Sequence, residues 1–294
     1  MTIKVCPLTY QGHVRLHIKP TLGHIRLAKL MPPLVRAFLN DMLREGFSPR
    51  TVQYSHAVLR RALGQAVKDG LVARNVAKLV DPPKVERPEV EPLTPKQARV
   101  FLKAMEGDRL EALYSVAIAV GLRRGEALGL RWEDVDLEKG NIRVRASLQR
   151  VDKKLRLVEL KTKRSRRSVA LPSVAVAALR RHRIQQMEER LLAGSRWQDT
   201  GMVFTSTIGT LLEPRGVLRK FQSALERAGL PRKRFHDLRH TCASLLLVQG
   251  VHPRVVMQIL GHSQIAVTMD TYSHVVDELR RDAANQMDSL LAVE

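Results

Sequence analysis

Apolar residues recur at helical spacing through the first part of the chain. Ser48 and Pro49 have the signature of a helix N-cap followed by a first-turn proline. The apolar positions that follow recur near a helical period and are Val52, Leu59, Leu63 and Val67, with Arg60, Arg61 and Lys68 between them. This pattern predicts a small, basic, helical domain over residues 1–80.

A proline-rich segment interrupts the helical pattern. Residues 81–92 (DPPKVERPEVEP) carry four prolines and no apolar periodicity, which is typical of an extended linker. After it, Thr94 and Gln97 have the spacing of a capping box, and an apolar run from Leu110 to Val120 ends at Gly121. A second and larger helical domain is therefore expected over residues 93–294.

The period changes from helical to two between Asn141 and Pro172. Residues 142–145 and 155–157 alternate apolar and basic side chains, which predicts a small antiparallel sheet. Past Pro214 the pattern is helical again and closes on an amphipathic stretch. Its apolar positions are Leu279, Ala283, Met287, Leu290 and Leu291. The predicted fold class is mainly α with a small antiparallel β-sheet (α+β).

The composition adds an expected partner to this picture. The chain has 294 residues, 44% of them hydrophobic, which suffices for about two domains of ordinary size. Lys and Arg number 50 against 29 Asp and Glu, so the net charge is +21. A surface this basic gains affinity for duplex DNA by releasing condensed counterions. Duplex DNA is therefore the expected partner.

Other classes of protein fit the sequence less well. No apolar stretch approaches the roughly 20 residues of a membrane span, and we expect no secretory signal, because residues 1–10 lack its apolar segment. Cys6 and Cys242 are too few for a metal cluster, and we expect both to be buried thiols in a reducing compartment. A cytoplasmic, nucleoid-associated protein without a membrane partner is expected.

The predicted sheet is the most basic part of the chain. Residues 141–172 hold 11 Lys and Arg against two acidic residues. One interpretation is a solvated edge hairpin whose charges prevent aggregation. The other is a DNA-contacting hairpin, and the charge of the whole chain favours it. Aromatic residues make up only 4% of the chain, so stacking on bases is not expected to dominate.

Four motifs in the C-terminal half carry candidate chemistry. Breaking and rejoining DNA without a metal requires a nucleophile, cations around the phosphate and acid–base groups. The motifs are, in order, GLRRGEALGLRWEDVD, KTKRSRRSVAL, HDLRHTCASLLL and LGHSQIAVTMDTYSHV. Each taken singly also fits a structural role. As an ordered set they resemble the tyrosine recombinases of the phage integrase family.

The resemblance implies that Tyr272 is the nucleophile. It lies ten residues after His262, and no other tyrosine of the chain follows the histidine-containing motifs. Tyr114 lies in an apolar helical run, where a core role is expected. Attack by Tyr272 on a DNA phosphate would give a 3′-phosphotyrosyl link and free a 5′ hydroxyl. The phosphodiester energy is kept in that link, so no metal, nucleotide or other cofactor is expected.

The resemblance also implies cationic groups around the phosphate. Arg123 and Arg239 are expected to clamp its nonbridging oxygens, with Arg124 as the alternative to Arg123. Lys161 is expected to protonate the departing 5′ oxygen, and Lys163 is its rival. A planar guanidinium suits the clamping role because it bonds two oxygens at once.

Three further residues complete the expected catalytic domain. His236 corresponds to the general base, His262 to a hydrogen-bond donor in the transition state, and Glu126 to a structural carboxylate that orients the arginine loop. His240 is expected to be a packing or surface residue. By the same resemblance residues 1–80 are a core-binding (SAM-like) DNA-binding domain, and residues 93–294 form the catalytic domain with a C-terminal helix.

The expected biology is integration or excision of a mobile element by a tetramer on duplex DNA. An accessory DNA-bending protein or an excisionase is an expected partner. The C-terminal stretch either packs on its own domain or docks on a neighbouring protomer. Because the chain opens almost directly on the core-binding helices, we expect either a truncated copy or a protein that uses core sites alone.

Three alternatives stay open. One is a DNA-binding regulator, because helix–Gly250–helix resembles a helix-turn-helix, although its second helix is too apolar for a major-groove reader. Another is a type IB topoisomerase, which shares the nucleophile but exchanges no partners. The third is a decayed prophage integrase that binds DNA without recombining it.

Overall fold

The computed structural model describes residues 7–85, 91–151, 154–160, 165–261 and 287–288. It divides the chain into two compact units, Met1–Glu89 and Val90–Glu294, and the boundary falls within the proline-rich segment 81–92. In the described ranges, no helix is both long and apolar enough to cross a membrane.

The first unit is helical. Its elements are α1 Pro7–His13, a π-helical stretch Val14–Ile18, α2 Lys19–Leu22, a 3-10 turn Leu27–Lys29, α3 Pro32–Arg44, α4 Pro49–Lys68 and a 3-10 turn Val76–Leu79. The Ser48 hydroxyl accepts a hydrogen bond from the Thr51 backbone N–H at 3.2 Å, and Pro49 opens α4, which confirms the predicted cap. Phe38 of α3 and Val52 and Leu63 of α4 lie in one buried core.

The second unit carries the larger core. Its helices are α5 Pro95–Ala104, α6 Glu111–Val120, α7 Arg124–Leu128, α8 Ser173–Ala193, α9 Pro214–Arg227, α10 Asp237–Val248 and α11 Pro253–Leu260. Short 3-10 turns span Trp132–Asp134 and Gly194–Arg196. The strands are β1 Val135–Asp136, β2 Asn141–Val144, β3 Ala146–Val151, β4 Lys154–Glu159 and β5 Arg167–Ala170.

Helix α6 lies at the centre of this core. It is buried along nearly its whole length, and the ring of Tyr114 packs 5.4 Å from Phe101 and 5.7 Å from Phe221. The expected core role of Tyr114 is confirmed, and burial raises the pKa of its phenol. The helix ends at Gly121 in the left-handed conformation (φ +63°), as the apolar run predicted.

The strands form two small antiparallel sheets where the sequence predicted one. β2 pairs with β1 on one side and with β5 on the other, while β3 and β4 form a separate hairpin. Arg145 separates β2 from β3, so the chain leaves the first sheet before it enters the hairpin. Ile142 and Val144 are buried and Arg143 between them is exposed, in agreement with the period of two. The α+β fold class is confirmed.

Candidate active site

Arg123 lies at the N-cap of α7, two residues after α6 ends at Gly121. Its backbone N–H and its Nη1 donate to the Glu126 carboxylate at 3.1 and 2.7 Å. The Glu126 side chain is 2% exposed and the Arg123 side chain is 41% exposed. A buried carboxylate therefore orients the guanidinium, which still reaches solvent. Arg124, the alternative, makes no hydrogen bond to another described side chain.

Glu126 has a second cationic partner, Arg167 at the start of β5. Arg167 Nη2 donates to Glu126 Oε2 at 2.9 Å, and its side chain is 7% exposed. Burial alone would raise the pKa of Glu126, but Arg167 and then Arg123 hold that pKa below its ordinary value. Glu126 is therefore ionised at neutral pH and is shared by two arginines.

Arg239, in the first turn of α10, is 2% exposed and is the largest fully buried side chain among the described residues. Its Nη1 donates to the Gly121 carbonyl at 2.7 Å, and its Nη2 donates to the Leu260 carbonyl at 2.6 Å. Both carbonyls close the C-terminal ends of helices, where the helix dipole favours a cation. Arg239 therefore joins the end of α6 to the end of α11.

His236 precedes α10 as its N-cap residue. Much of the residue is accessible, yet partial burial, followed by the positive charges of Arg239 and Arg123, lowers the pKa of its imidazole below 6.5. The His236 ring is 5.0 Å from that of His240. Burial and His236 lower the pKa of His240 to about 4. Both imidazoles are therefore neutral at neutral pH, and His236 can accept a proton.

The three arginines meet at the C-terminal end of α11. Arg167 Nε donates to the Ile259 carbonyl at 2.6 Å, and Arg239 Nη2 donates to that of Leu260. Arg123 Nη2 approaches the Gly261 carbonyl at 3.4 Å. Three consecutive carbonyls are thus covered by three guanidinium groups, one of which is solvent-accessible. His262 is the next residue in the sequence.

Four of the residues expected in the site, Lys161, Lys163, His262 and Tyr272, lie outside the described residues. The residues that flank the two lysines are described. Arg166 Nε donates to the Leu160 carbonyl at 2.8 Å. Leu160 N–H in turn donates to the Arg145 carbonyl at 2.8 Å. Leu160 and Arg166 are therefore bonded to each other, and Leu160 is also bonded to Arg145, between β2 and β3.

From the sequence pattern, Arg167 is predicted only to be one positive charge of a basic hairpin. One signal was available in the sequence. Arg167 lies two residues before Val169 on the same strand, so the two side chains share a face, and Val169 is buried. An inward-pointing arginine needs a buried acceptor, and Glu126 was the candidate. In the described part of the chain, no cluster of three His, Cys, Asp or Glu side chains is placed to hold a metal ion.

Known proteins of one family are similar to this chain. The model of the phage integrase family matches residues 91–278. A tyrosine recombinase XerC-like protein of Caldanaerobacter subterraneus subsp. tengcongensis is 33% identical, over 96% of this chain and 77% of the relative. An integrase of Saccharopolyspora erythraea is 30% identical, over 95% of this chain and 76% of the relative.

Solved structures show the same fold. The Tn1549 transposon integrase in complex with transposon right end DNA superposes with a TM-score of 0.79 at 21% identity, over 99% of this chain and 95% of that one. A lambda integrase dimer bound to a COC′ core site gives 0.66 at 18% identity, over 90% and 87%. Since the family model covers more than half of the chain and close relatives exceed 30% identity, this chain belongs to the phage integrase family of tyrosine recombinases.

Proposed function

We propose that this chain is a site-specific DNA recombinase that cuts and rejoins duplex DNA through a 3′-phosphotyrosyl link at Tyr272. The observation that carries the proposal is the convergence of Arg123 and Arg239 at the end of α11, with His236 at the start of α10, three residues before Arg239. Two cations and a neutral base near them suit an in-line displacement at a phosphate. The proposed nucleophile lies 11 residues beyond Gly261.

Arg123 and Arg239 would neutralise the charge that develops on the phosphate. Arg123 has the accessible guanidinium, so it is the proposed primary contact of the nonbridging oxygens. Arg239 is almost fully buried, and it bonds two carbonyls at the edge of the site. Its fixed charge would act on the phosphate without reorganisation when substrate binds.

The proton balance assigns the remaining residues. As the bond between Tyr272 Oη and phosphorus forms, the phenolic proton passes to His236, which is neutral because its pKa is lowered. The bond between phosphorus and the 5′ oxygen breaks, and Lys161, with Lys163 as its rival, supplies the proton to that oxygen. His262 would donate a hydrogen bond to the transition state. The partner strand's 5′ hydroxyl then reverses these steps, so no cofactor is consumed.

The charge of the chain fits a polyanionic substrate. The net charge of +21 predicts binding that weakens steeply as salt rises. Arg156 on β4 is exposed, as is Arg150 on the paired strand β3, so the hairpin presents cations to solvent. Residues 1–80 are proposed as the core-binding domain. A DNA substrate also gives the protein a proposed place at the nucleoid, in the cytoplasm.

Assembly on DNA is the second part of the proposal. Solved structures of lambda integrase include a dimer bound to a core site and a tetramer bound to a Holliday junction. We propose that this chain likewise works as a tetramer on DNA, with an accessory DNA-bending protein or excisionase to set direction. The C-terminal stretch proposed to dock on a neighbouring protomer, residues 279–291, lies almost entirely outside the described residues.

The test is a nicked core-site duplex, taken from sequences that flank the coding region, that traps the covalent intermediate. Wild type should form a protein–DNA adduct and Tyr272→Phe should form none. Tyr114→Phe is the matched control, because it removes a hydroxyl from a buried core tyrosine and should leave adduct formation intact.

Each other outcome supports an alternative. Core-site binding without any adduct would support a DNA-binding regulator or a decayed integrase. An adduct that persists in Tyr272→Phe would refute the nucleophile. Relaxation of plasmids lacking a core site, without strand exchange between two core sites, would support a type IB topoisomerase.

A further inference from the structure

Arg167 is a buried cation that the proposed mechanism does not use. Its guanidinium lies between three acceptors on three different segments of the second unit. Nη2 donates to Glu126 Oε2 at 2.9 Å, Nε to the Ile259 carbonyl at 2.6 Å, and Nη1 to the Ser165 carbonyl at 3.3 Å. A side chain in this position connects the Arg123 loop with the helix end that precedes His262.

We propose that Arg167 is a positioning residue of the recombination site: it acts through Glu126 on Arg123 and through Ile259 on the C-terminal end of α11. This inference rests on the function proposed above. Arg167 is not expected to touch the DNA, since its side chain is 7% exposed. Its effect on catalysis would be transmitted by the two residues that it holds.

The first part of the effect is electrostatic. Arg123, Glu126 and Arg167 together carry two positive charges and one negative charge, so the cluster has a net charge of +1. Without Arg167, Arg123 and Glu126 form a neutral pair. The buried carboxylate would then compete with the phosphate for the one guanidinium left, because an unpaired buried charge is costly. Arg167 therefore leaves Arg123 with positive charge to offer the substrate.

The second part is geometric. Arg167 bonds Ile259 and Glu126, which lie 92 and 41 residues away in the sequence, with two nitrogens of one rigid plane. Fixing both at once sets the distance between the α7 loop and the last turn of α11. A lysine keeps the charge but offers one nitrogen, so it cannot span both acceptors. Small displacements of catalytic groups lower rates by large factors.

The test compares Arg167→Gln and Arg167→Lys with wild type in single-turnover adduct formation on the nicked core site. The matched control is Arg109→Gln. Arg109 makes a bidentate, partly buried pair with Glu189, with bonds of 2.6 and 2.7 Å, and this pair is not among the contacts at the end of α11. Each protein is assayed at saturating concentration on a phosphodiester and on a methylphosphonate, which lacks the negative charge at the scissile position.

We expect Arg167→Gln to bind the core site within about threefold of wild type and to form adduct roughly 10–100-fold more slowly on the phosphodiester. On the uncharged methylphosphonate its deficit should shrink severalfold, because there Arg123 has less charge to neutralise. Arg167→Lys should fall between wild type and Arg167→Gln. Arg109→Gln should lose thermal stability. Its rate of adduct formation, relative to wild type, should be the same on the two substrates.

Two results for Arg167→Gln would overturn the inference. One is a wild-type rate for Arg167→Gln. Another is an equal reduction of its adduct rate on both substrates. Loss of folded protein alone would give that result, as it would in Arg109→Gln. If Arg167→Gln does not fold, Arg167→Lys replaces it: this variant keeps the charge but cannot span both acceptors, so a wild-type rate of adduct formation in Arg167→Lys would overturn the geometric part of the inference. Wild type that binds the core site but forms no adduct would refute the proposed function itself.

Discussion

The guanidinium of Arg239 donates a hydrogen bond to the carbonyl of Gly121 at 2.7 Å, so a buried cation is tied to the residue that ends α6. Its other bond goes to the carbonyl of Leu260, at the end of α11. Gly121 itself packs on Leu260, because a Cβ atom built on Gly121 would lie 2.4 Å from Leu260 Cδ2. The two helix ends and the arginine therefore form one closed cluster.

Gly121→Ala should destabilise the protein by about 2–4 kcal/mol. A non-glycine residue at φ +63° costs about 1–2 kcal/mol, and the clash with Leu260 adds a similar amount. Urea unfolding measures the change. Gly250→Ala is the matched control, because Gly250 has φ +74° and nothing within 4 Å of the added Cβ.

The control separates the backbone cost from the packing cost. Gly250→Ala should lose only the backbone part, about 1–2 kcal/mol. Shortening the neighbour in the double variant Gly121→Ala, Leu260→Val should recover part of the difference. Equal losses for the two alanine variants would contradict the packing argument.

Arg239→Lys should lose both stability and adduct formation. One ammonium cannot reach both the Gly121 and Leu260 carbonyls, and a buried acceptor left without a donor costs about 1–3 kcal/mol. With one of its two anchoring bonds lost, the positive charge is no longer fixed beside the phosphate, and the adduct rate should fall on the order of 10²–10³-fold. Urea unfolding and the nicked core-site assay measure the two effects.

Arg227→Lys provides the comparison for Arg239→Lys. Arg227 pairs with Asp108 at 2.7 Å but its side chain is 57% exposed, so the exchange should change stability by less than about 1 kcal/mol. Adduct formation should be unchanged. A wild-type adduct rate in Arg239→Lys would remove Arg239 from the proposed site.

Local sequence chemistry predicted the features whose partners are close in the chain. The hydroxyl caps at Ser48 and Thr94 and the helix stop at Gly121 each depend on neighbours within four residues, and all three are confirmed. The contact between Arg123 and Glu126 spans three residues and agrees with the expected orienting carboxylate. Short-range hydrogen bonds leave a pattern that can be read without the fold.

Long-range contacts left no such pattern. Arg167 looked like one more cation of a basic hairpin, because Glu126 and Ile259 reach it only after β5 pairs with β2 and α11 packs nearby. Burial of Cys242 was predicted and is confirmed, and that burial raises the pKa of its thiol to about 12. The roles of Lys161, His262 and Tyr272 stay predictions, since these residues lie outside the described part of the chain.

Glu126→Gln should destabilise the protein in a pH-dependent way. The native pKa of Glu126 is lowered, since Arg167 and Arg123 together outweigh the effect of burial. Its contribution to stability is therefore fully present above its ordinary pKa of 4.5 and is lost as pH falls below that value. At pH 7 the free energy of unfolding of the variant should be about 3–5 kcal/mol lower than that of wild type, because two arginines lose a buried partner.

Urea unfolding at several pH values tests this linkage. The difference between wild type and Glu126→Gln should narrow as the pH falls below 4.5. Glu138→Gln is the control: Glu138 pairs with Arg180 at 3.2 Å but is 89% exposed, so its difference from wild type should stay small throughout. If the difference in free energy of unfolding between wild type and Glu126→Gln stays constant below pH 4.5, the proposed charge sharing is refuted.

His236 should set the acid limb of the pH–rate profile. Partial burial and the charges of Arg239 and Arg123 lower the pKa of its imidazole, so the free protein keeps a neutral base down to a pH below 6.5. As the pH falls through that pKa the ring gains a proton and can no longer accept one from Tyr272. The rate of adduct formation at subsaturating DNA should therefore fall with a midpoint below pH 6.5.

The same limb should move when DNA is bound. A phosphate anion beside His236 favours the protonated ring, so the midpoint at saturating DNA should lie at higher pH than at subsaturating DNA. His236→Asn should abolish the limb and slow adduct formation by about 10²–10⁴-fold. His240→Asn should keep it, because the pKa of His240 is lowered to about 4 and this residue stays neutral throughout. If the acid limb of the pH–rate profile survives in His236→Asn and disappears in His240→Asn, then His240 and not His236 is the base.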